Sequence, residues 1–166
     1  MKEGRGKKEE GRRRRALLPS SFVLLSFLLG AACRDLKVVT NTYATLAEAR
    51  SAGAIERGWI PALLPAGAHD IREAHDETRM RRRWGLFSFR PEDDETFKAR
   101  MGSEISFEGV GTDVPPRIEW WPLLLRGSLD PVQLTATGLR AYAMPGDELI
   151  VAVNWNQRRA YYWSRR

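Results

Sequence analysis

The chain has 166 residues, 43% hydrophobic and 10% aromatic, which excludes a disordered polymer and suits one folded domain. Its formal net charge of +6 sits almost wholly at the N-terminus: residues 1–15 carry eight basic and three acidic side chains, and residues 16–33 carry none. Residues 34–166 hold 19 basic and 18 acidic side chains, a balance near zero that lacks the footprint of a nucleic-acid binder. The single cysteine, Cys33, excludes an intrachain disulfide and a zinc site built from cysteines.

The N-terminus has the three parts of an export signal in order. A basic stretch ends in Arg12 to Arg15, an uncharged run ALLPSSFVLLSFLLGAA covers residues 16–32, and small residues Gly30, Ala31 and Ala32 lead into Cys33. Positive charge holds one end on the cytoplasmic side while the apolar run enters the bilayer. LLGAAC resembles a lipobox, with Gly30 where leucine is most usual, so Cys33 is the expected lipidation site. As an uncleaved span the run is short against the roughly 17–25 residues a bilayer needs, and Pro19 weakens it further. Arg34, standing where an aspartate would retain a lipoprotein at the inner membrane, points to the outer membrane facing the periplasm. The expected organisation is a lipoprotein signal peptide over 1–33, a tether over 34–42 and one globular domain over 43–166.

Thr45 and Glu48 have the spacing of a capping box, so a helix is expected over 45–52, with Gly53 at its C-terminal end. GWIPALLPAG (58–67) has two prolines and reads as a buried connection or one helical turn. Residues 68–77 and 81–90 alternate as strands, with a hairpin turn near 77–80; Trp84 and Leu86 share one face, Phe87 and Phe89 the other. Pro91 followed by PEDDETFKARM suits a helix with acidic residues at its positive end and Phe97 and Met101 on one face. Residues 102–117, rich in Gly and Pro, read as loop, and IEWWPLLLRGSL as one or two helical turns. LTATGLRAYAMPG, ELIVAVNW and RRAYYWSRR close the chain as β-rich runs; ELIVAVNW is the strongest strand, and a hairpin is centred on Asn156. The fold class is α+β: a mostly antiparallel sheet of about four or five strands with two or three short helices packed on it.

His69–Asp70 and His75–Asp76 contain both histidines and form the constellation closest to chemistry. On a regular strand, positions six apart share a face but lie about 20 Å apart, too far to share a metal unless the chain bends. One reading makes His75 a general base beside Asp70 or Asp76, in a small hydrolase or metal-dependent enzyme; the other makes both histidines strand-end residues bonded to a turn. No nucleophile motif stands nearby, and no catalytic residue, metal ligand or cofactor is assigned. Arg79, Arg81, Arg82 and Arg83 sit at the hairpin tip, where they either contact an anionic partner or are balanced by Glu73, Asp76 and Glu77. GVGTDVPP has Gly109 and Gly111 but neither GxGxxG nor a phosphate-loop lysine. Trp120 and Trp121 are adjacent, so a regular element cannot bury both, and one of them is an expected contact residue.

Over residues 42–90, Tyr43, EARSAG, GWIPALLP, DIREAHD and the aromatic strand after the arginines resemble the YbbD head-domain type, a family of short bacterial proteins; the closing YAMPGDELIVAVNWNQRRAYYW is also similar. The resemblance implies a compact α+β unit in membrane-associated or exported proteins and brings no catalytic residues. The expected partners are the membrane, through the lipid on Cys33, and an envelope protein. The leading expectation is therefore a membrane-tethered binding module, and the alternative an enzyme using His69, Asp70, His75 and Asp76.

Overall fold

A computed structural model describes residues 37–78, 82–144, 146 and 148–165. The leader, Cys33, most of the expected tether's first half, Arg79 and Arg81 lie outside the described residues.

Strand β1 (Val38–Thr45) opens the fold, so residues 38–42 belong to the sheet and not to a tether. Its Thr-rich, half-exposed sequence is that of an edge strand, which explains why it reads as a linker. Helix α1 (Leu46–Ser51) follows with the expected cap: Thr45 Oγ1 accepts from the Glu48 amide, and Glu48 Oε2 accepts from the Ala44 amide at 2.7 Å. Gly53, at φ 72°, ends the turn in the left-handed region. The segment 52–67 is a series of turns that buries Ile60 and Leu64.

β2 (His69–Asp76) and β3 (Arg83–Ser88) form the expected hairpin. Trp84 and Phe87 point into different cores, as the alternation requires. A 3₁₀ turn, Pro91–Asp93, leads into α2 (Asp94–Lys98), which buries Phe97. The stretch read as loop contains two short strands, β4 (Ser103–Ile105) and β5 (Gly111–Thr112). A 3₁₀ turn, Leu123–Leu125, precedes β6 (Gly127–Ser128), which pairs only with β5. Residues 131–136 form helix α3 (Pro131–Ala136), so residues 134–136, read as the start of a β-rich run, are its last turn. Asp130 caps it by accepting from Val132 and Gln133, with Pro131 in the first turn. The chain closes with β7 (Leu139–Ala143), β8 (Leu149–Asn154) and β9 (Arg159–Ser164), the last two joined by the predicted hairpin.

Seven strands pair antiparallel in the order β1-β2-β3-β9-β8-β7-β4, so the α+β class holds with more strands than expected. The surplus comes from β1 and from fragments of two or three residues, too short to show a period. All six residues of β8 are buried, because both faces of the sheet are covered. One face packs Tyr43, Leu46, Ile60, Ile71, Phe87, Phe97 and Tyr162 beneath α1, the 52–67 turns and α2. The other packs Trp84, Ile118, Trp121, Leu125, Leu134 and Trp163 beneath the 106–130 segment and α3. No helix among the described residues is long and apolar enough to cross a membrane.

Candidate functional site

The two histidines part company at a bulge. His69 pairs with Ser88 but Arg72 pairs with Leu86, so β2 carries one extra residue, and Asp70 takes φ 50° to accommodate it. His69 sits at the exposed end, its Nδ1 3.0 Å from the Gly67 carbonyl and its Nε2 4.0 Å from Asp70. His75 is buried, with Nδ1 3.0 Å from Glu73 Oε2. Asp76 is also buried and accepts from the Thr78 amide and hydroxyl, fixing the turn. The cluster His69, Asp70, His75 and Asp76 is therefore not one site. Among the described residues, no group of three or more His, Cys, Asp or Glu side chains could hold a metal ion.

The partner of His75 is a residue that the sequence reading counted only as a charge. Glu73 is fully buried and takes hydrogen bonds from His75 on one oxygen and from Asn41 Nδ2, across the β1–β2 ladder, on the other. With both oxygens accepting, His75 carries its proton on Nδ1. Trp59 stacks on the imidazole, ring centroids 4.0 Å apart and planes 12° from parallel, and the Arg57 guanidinium lies over the indole at 4.7 Å. The Tyr162 hydroxyl donates to the Trp59 carbonyl at 3.3 Å. Burial raises the Tyr162 hydroxyl well above its usual pKa, and the Glu73 charge adds to this. Tyr43 is raised by the same two causes. These contacts clamp the 52–67 turns onto β2. His75 is 4% exposed with its ring face covered by Trp59, which is the environment of a satisfied core histidine.

The basic tip also turns inward where it is described. Arg82 donates to Asp113 and lies 5.7 Å from the Trp84 ring; Arg83 donates to the Gly58 carbonyl. Both arginines serve contacts within the chain. Arg81 lies outside the described residues.

The tryptophan pair divides as adjacency demands. Trp121 is 2% exposed, donates to the Leu125 carbonyl at 2.7 Å and meets Trp163 edge to face, so it is core and not a contact residue. Trp120 is half-buried against the same core. Two of the three large apolar side chains exposed among the described residues come just after them, the third being Val132 on α3. Leu123 is 85% and Leu124 41% exposed, whereas Leu125 is fully buried. Three consecutive residues on one 3₁₀ turn point in three directions, so the run LLL cannot be buried whole. Leu124 forms one wall of a groove of about 230 Å³, shared with Pro122, Leu139, Tyr161, Asn154 and Gln157.

Residues 37–79 match the family model of the YbbD head domain. Over this segment, about a quarter of the chain, the protein is similar to the YbbD head domain. No curated protein and no solved structure matches it. The YbbD head segment supplies β1, α1, the 52–67 turns and β2, and with them Asn41, Arg57, Trp59, Glu73 and His75. The match is shorter than the resemblance drawn from the sequence: β3 and the closing hairpin lie outside it. The head is completed by those strands, since β2 pairs with β3 and Tyr162 of β9 closes over the head's core. The groove beside Leu124 lies outside the head.

Proposed function

We propose that this chain is a lipid-tethered interaction module of the bacterial cell envelope, anchored through Cys33 to the outer membrane and recruiting an envelope protein through its Leu123–Leu124 surface. The observation that carries it is the placement of two exposed leucines beside an apolar groove. Leaving a leucine in water forgoes about 1.5–3 kcal/mol of burial, which a fitting partner recovers. Gln157 and Tyr161 give the groove polar groups that fix the orientation of what enters it. Half-buried Trp120 borders the same segment as a rigid aromatic anchor. Export and tethering rest on the basic stretch, the uncharged run and the small residues before Cys33.

The test places a photo-crosslinking residue at position 123 of the full-length protein in its own envelope. One protein captured, lost on Leu124→Asp, and bound again when both purified components are mixed is the expected result. Crosslinks that persist unchanged in Leu124→Asp would remove this surface from the proposal. Labelled acyl chain entering wild type but not Cys33→Ser checks the anchor separately.

A further inference from the structure

We propose that β1 is a self-pairing edge, at which two copies of this chain join their sheets antiparallel about a two-fold axis through Asn41. Among the described residues the strand has one neighbour, β2. The ladder fixes which way its backbone points. The Glu77 amide donates to the Lys37 carbonyl and the Asp76 amide to the Arg82 carbonyl, so odd-numbered residues of β1 face β2 and even-numbered ones face outward. The Ala44 amide confirms the direction by donating to the Glu48 side chain. Thr40 and Thr42 are left at the centre of the outer rim, and both side chains are exposed.

A long, flat edge is usually blunted by charge, proline or a bulge. The opposite edge strand, β4, is three residues long and carries Glu104 within 3.7 Å of Arg140. β1 spans eight residues, VVTNTYAT, without a charge, a proline or a break in its register against β2. Its pattern also suits itself. With Asn41 at the axis, Thr40 of each copy faces Thr42 of the other, a favourable cross-strand pair, and no like charges meet. The capped Ala44 amide lies at the end of this ladder and leaves the central pairs untouched.

A second copy is the occupant because of where the chain leads. This step rests on the tether reading: Cys33 precedes Lys37 by four residues, a span of at most about 14 Å. A lipid on Cys33 thus confines β1 to the bilayer surface, where other copies are held at high local concentration. The two-fold axis of an antiparallel pair runs perpendicular to the sheet, so both tethers leave at the same height, as two anchors in one membrane require.

The experiment oxidises membranes holding the full-length protein as wild type, T40C, T42C or the double variant, with acylation of Cys33 read by mass on the same samples. Opposed positions in this register sit about 5.5 Å apart between Cα atoms, within disulfide reach. The expected result is a covalent dimer in the double variant alone. Dimer in either single variant at the level of the double would overturn the register, and an acylated double variant that stays monomeric would overturn the pairing while leaving the tether intact. Dimer of the double variant above the wild-type background without acylation would support the pairing and dispose of the tether; a chain neither acylated nor dimeric would sink both.

Discussion

Tyr162 stands opposite Gly85 in the β3–β9 ladder, and its ring fills the space where a side chain at Gly85 would be. A Cβ on Gly85 would come 2.1 Å from Tyr162 Cζ and 2.2 Å from its hydroxyl oxygen. The ring belongs to the core under the head, and its hydroxyl holds the Trp59 carbonyl. A glycine in mid-strand, ordinarily a weakness, is here the condition for the tyrosine above it. Gly85→Ala should destabilise the fold by about 1–3 kcal/mol, the usual cost of overpacking. Urea unfolding measures it, and Gly85→Ala in a Tyr162→Ala background should cost clearly less, since the two residues compete for one volume.

Glu73 is the polar keystone of the same core. Removing its carboxylate strands the Asn41 amide and the His75 N–H in a buried site, each at about 1–3 kcal/mol. Glu73→Ala should therefore cost about 2–6 kcal/mol by the same assay. A cost below that of an exposed carboxylate such as Glu95→Ala would show that the network does not hold the turns to β2.

The buried tyrosines set a limit at high pH. Burial, and then the Glu73 charge, keep Tyr162 and Tyr43 protonated above their ordinary value of 10.0, while in the unfolded chain they ionise there. Above that pH the unfolded state binds fewer protons, so stability falls as pH rises. The contribution is complete below pH 10 and is lost progressively as pH climbs toward the folded-state values. Denaturant midpoints should decline above pH 10, and less so in Tyr162→Phe; an unchanged alkaline slope in that variant would assign the decline to other groups.

The parts legible in the sequence were those with strong local codes. The Thr45–Glu48 box, Gly53, the acidic turn after Pro91 and the β8–β9 hairpin all lie where pattern placed them. Asp130 before Pro131 is an equally clear start signal for α3, but it is countered by the β-rich character of LTATG just after it. β1 was hidden because an edge strand with one exposed face resembles a linker. The site was harder to read. Counting six residues between His69 and His75 assumed a regular strand, which the bulge at Asp70 breaks. The partner of His75 is Glu73, two residues away on the same face, a spacing present in EAHD where Glu73 suits equally well as a counter-charge to the arginines. The contact of Arg82 with Asp113 spans 31 residues and could not be foreseen from spacing.

The division within PLLL gives the sharpest separation of fold from function. Leu123 and Leu125 are two residues apart on the same turn, yet one is 85% exposed and the other fully buried. Leu125 also offers its carbonyl to the Trp121 indole, which ties the turn to itself, while its side chain packs into the core beneath the 106–130 segment. Leu125→Ala should cost about 2–5 kcal/mol through the cavity it leaves. Leu123→Asp should change stability by no more than about 0.5 kcal/mol, because nothing in the fold depends on it. If the exposed leucines are the recognition surface, Leu123→Asp abolishes capture of the envelope partner in a fully folded protein. A conservative Leu123→Met should retain capture, since the unbranched thioether fills similar apolar space. Equal binding by Leu123→Asp and wild type, measured with both proteins folded, would move the contact elsewhere on the surface.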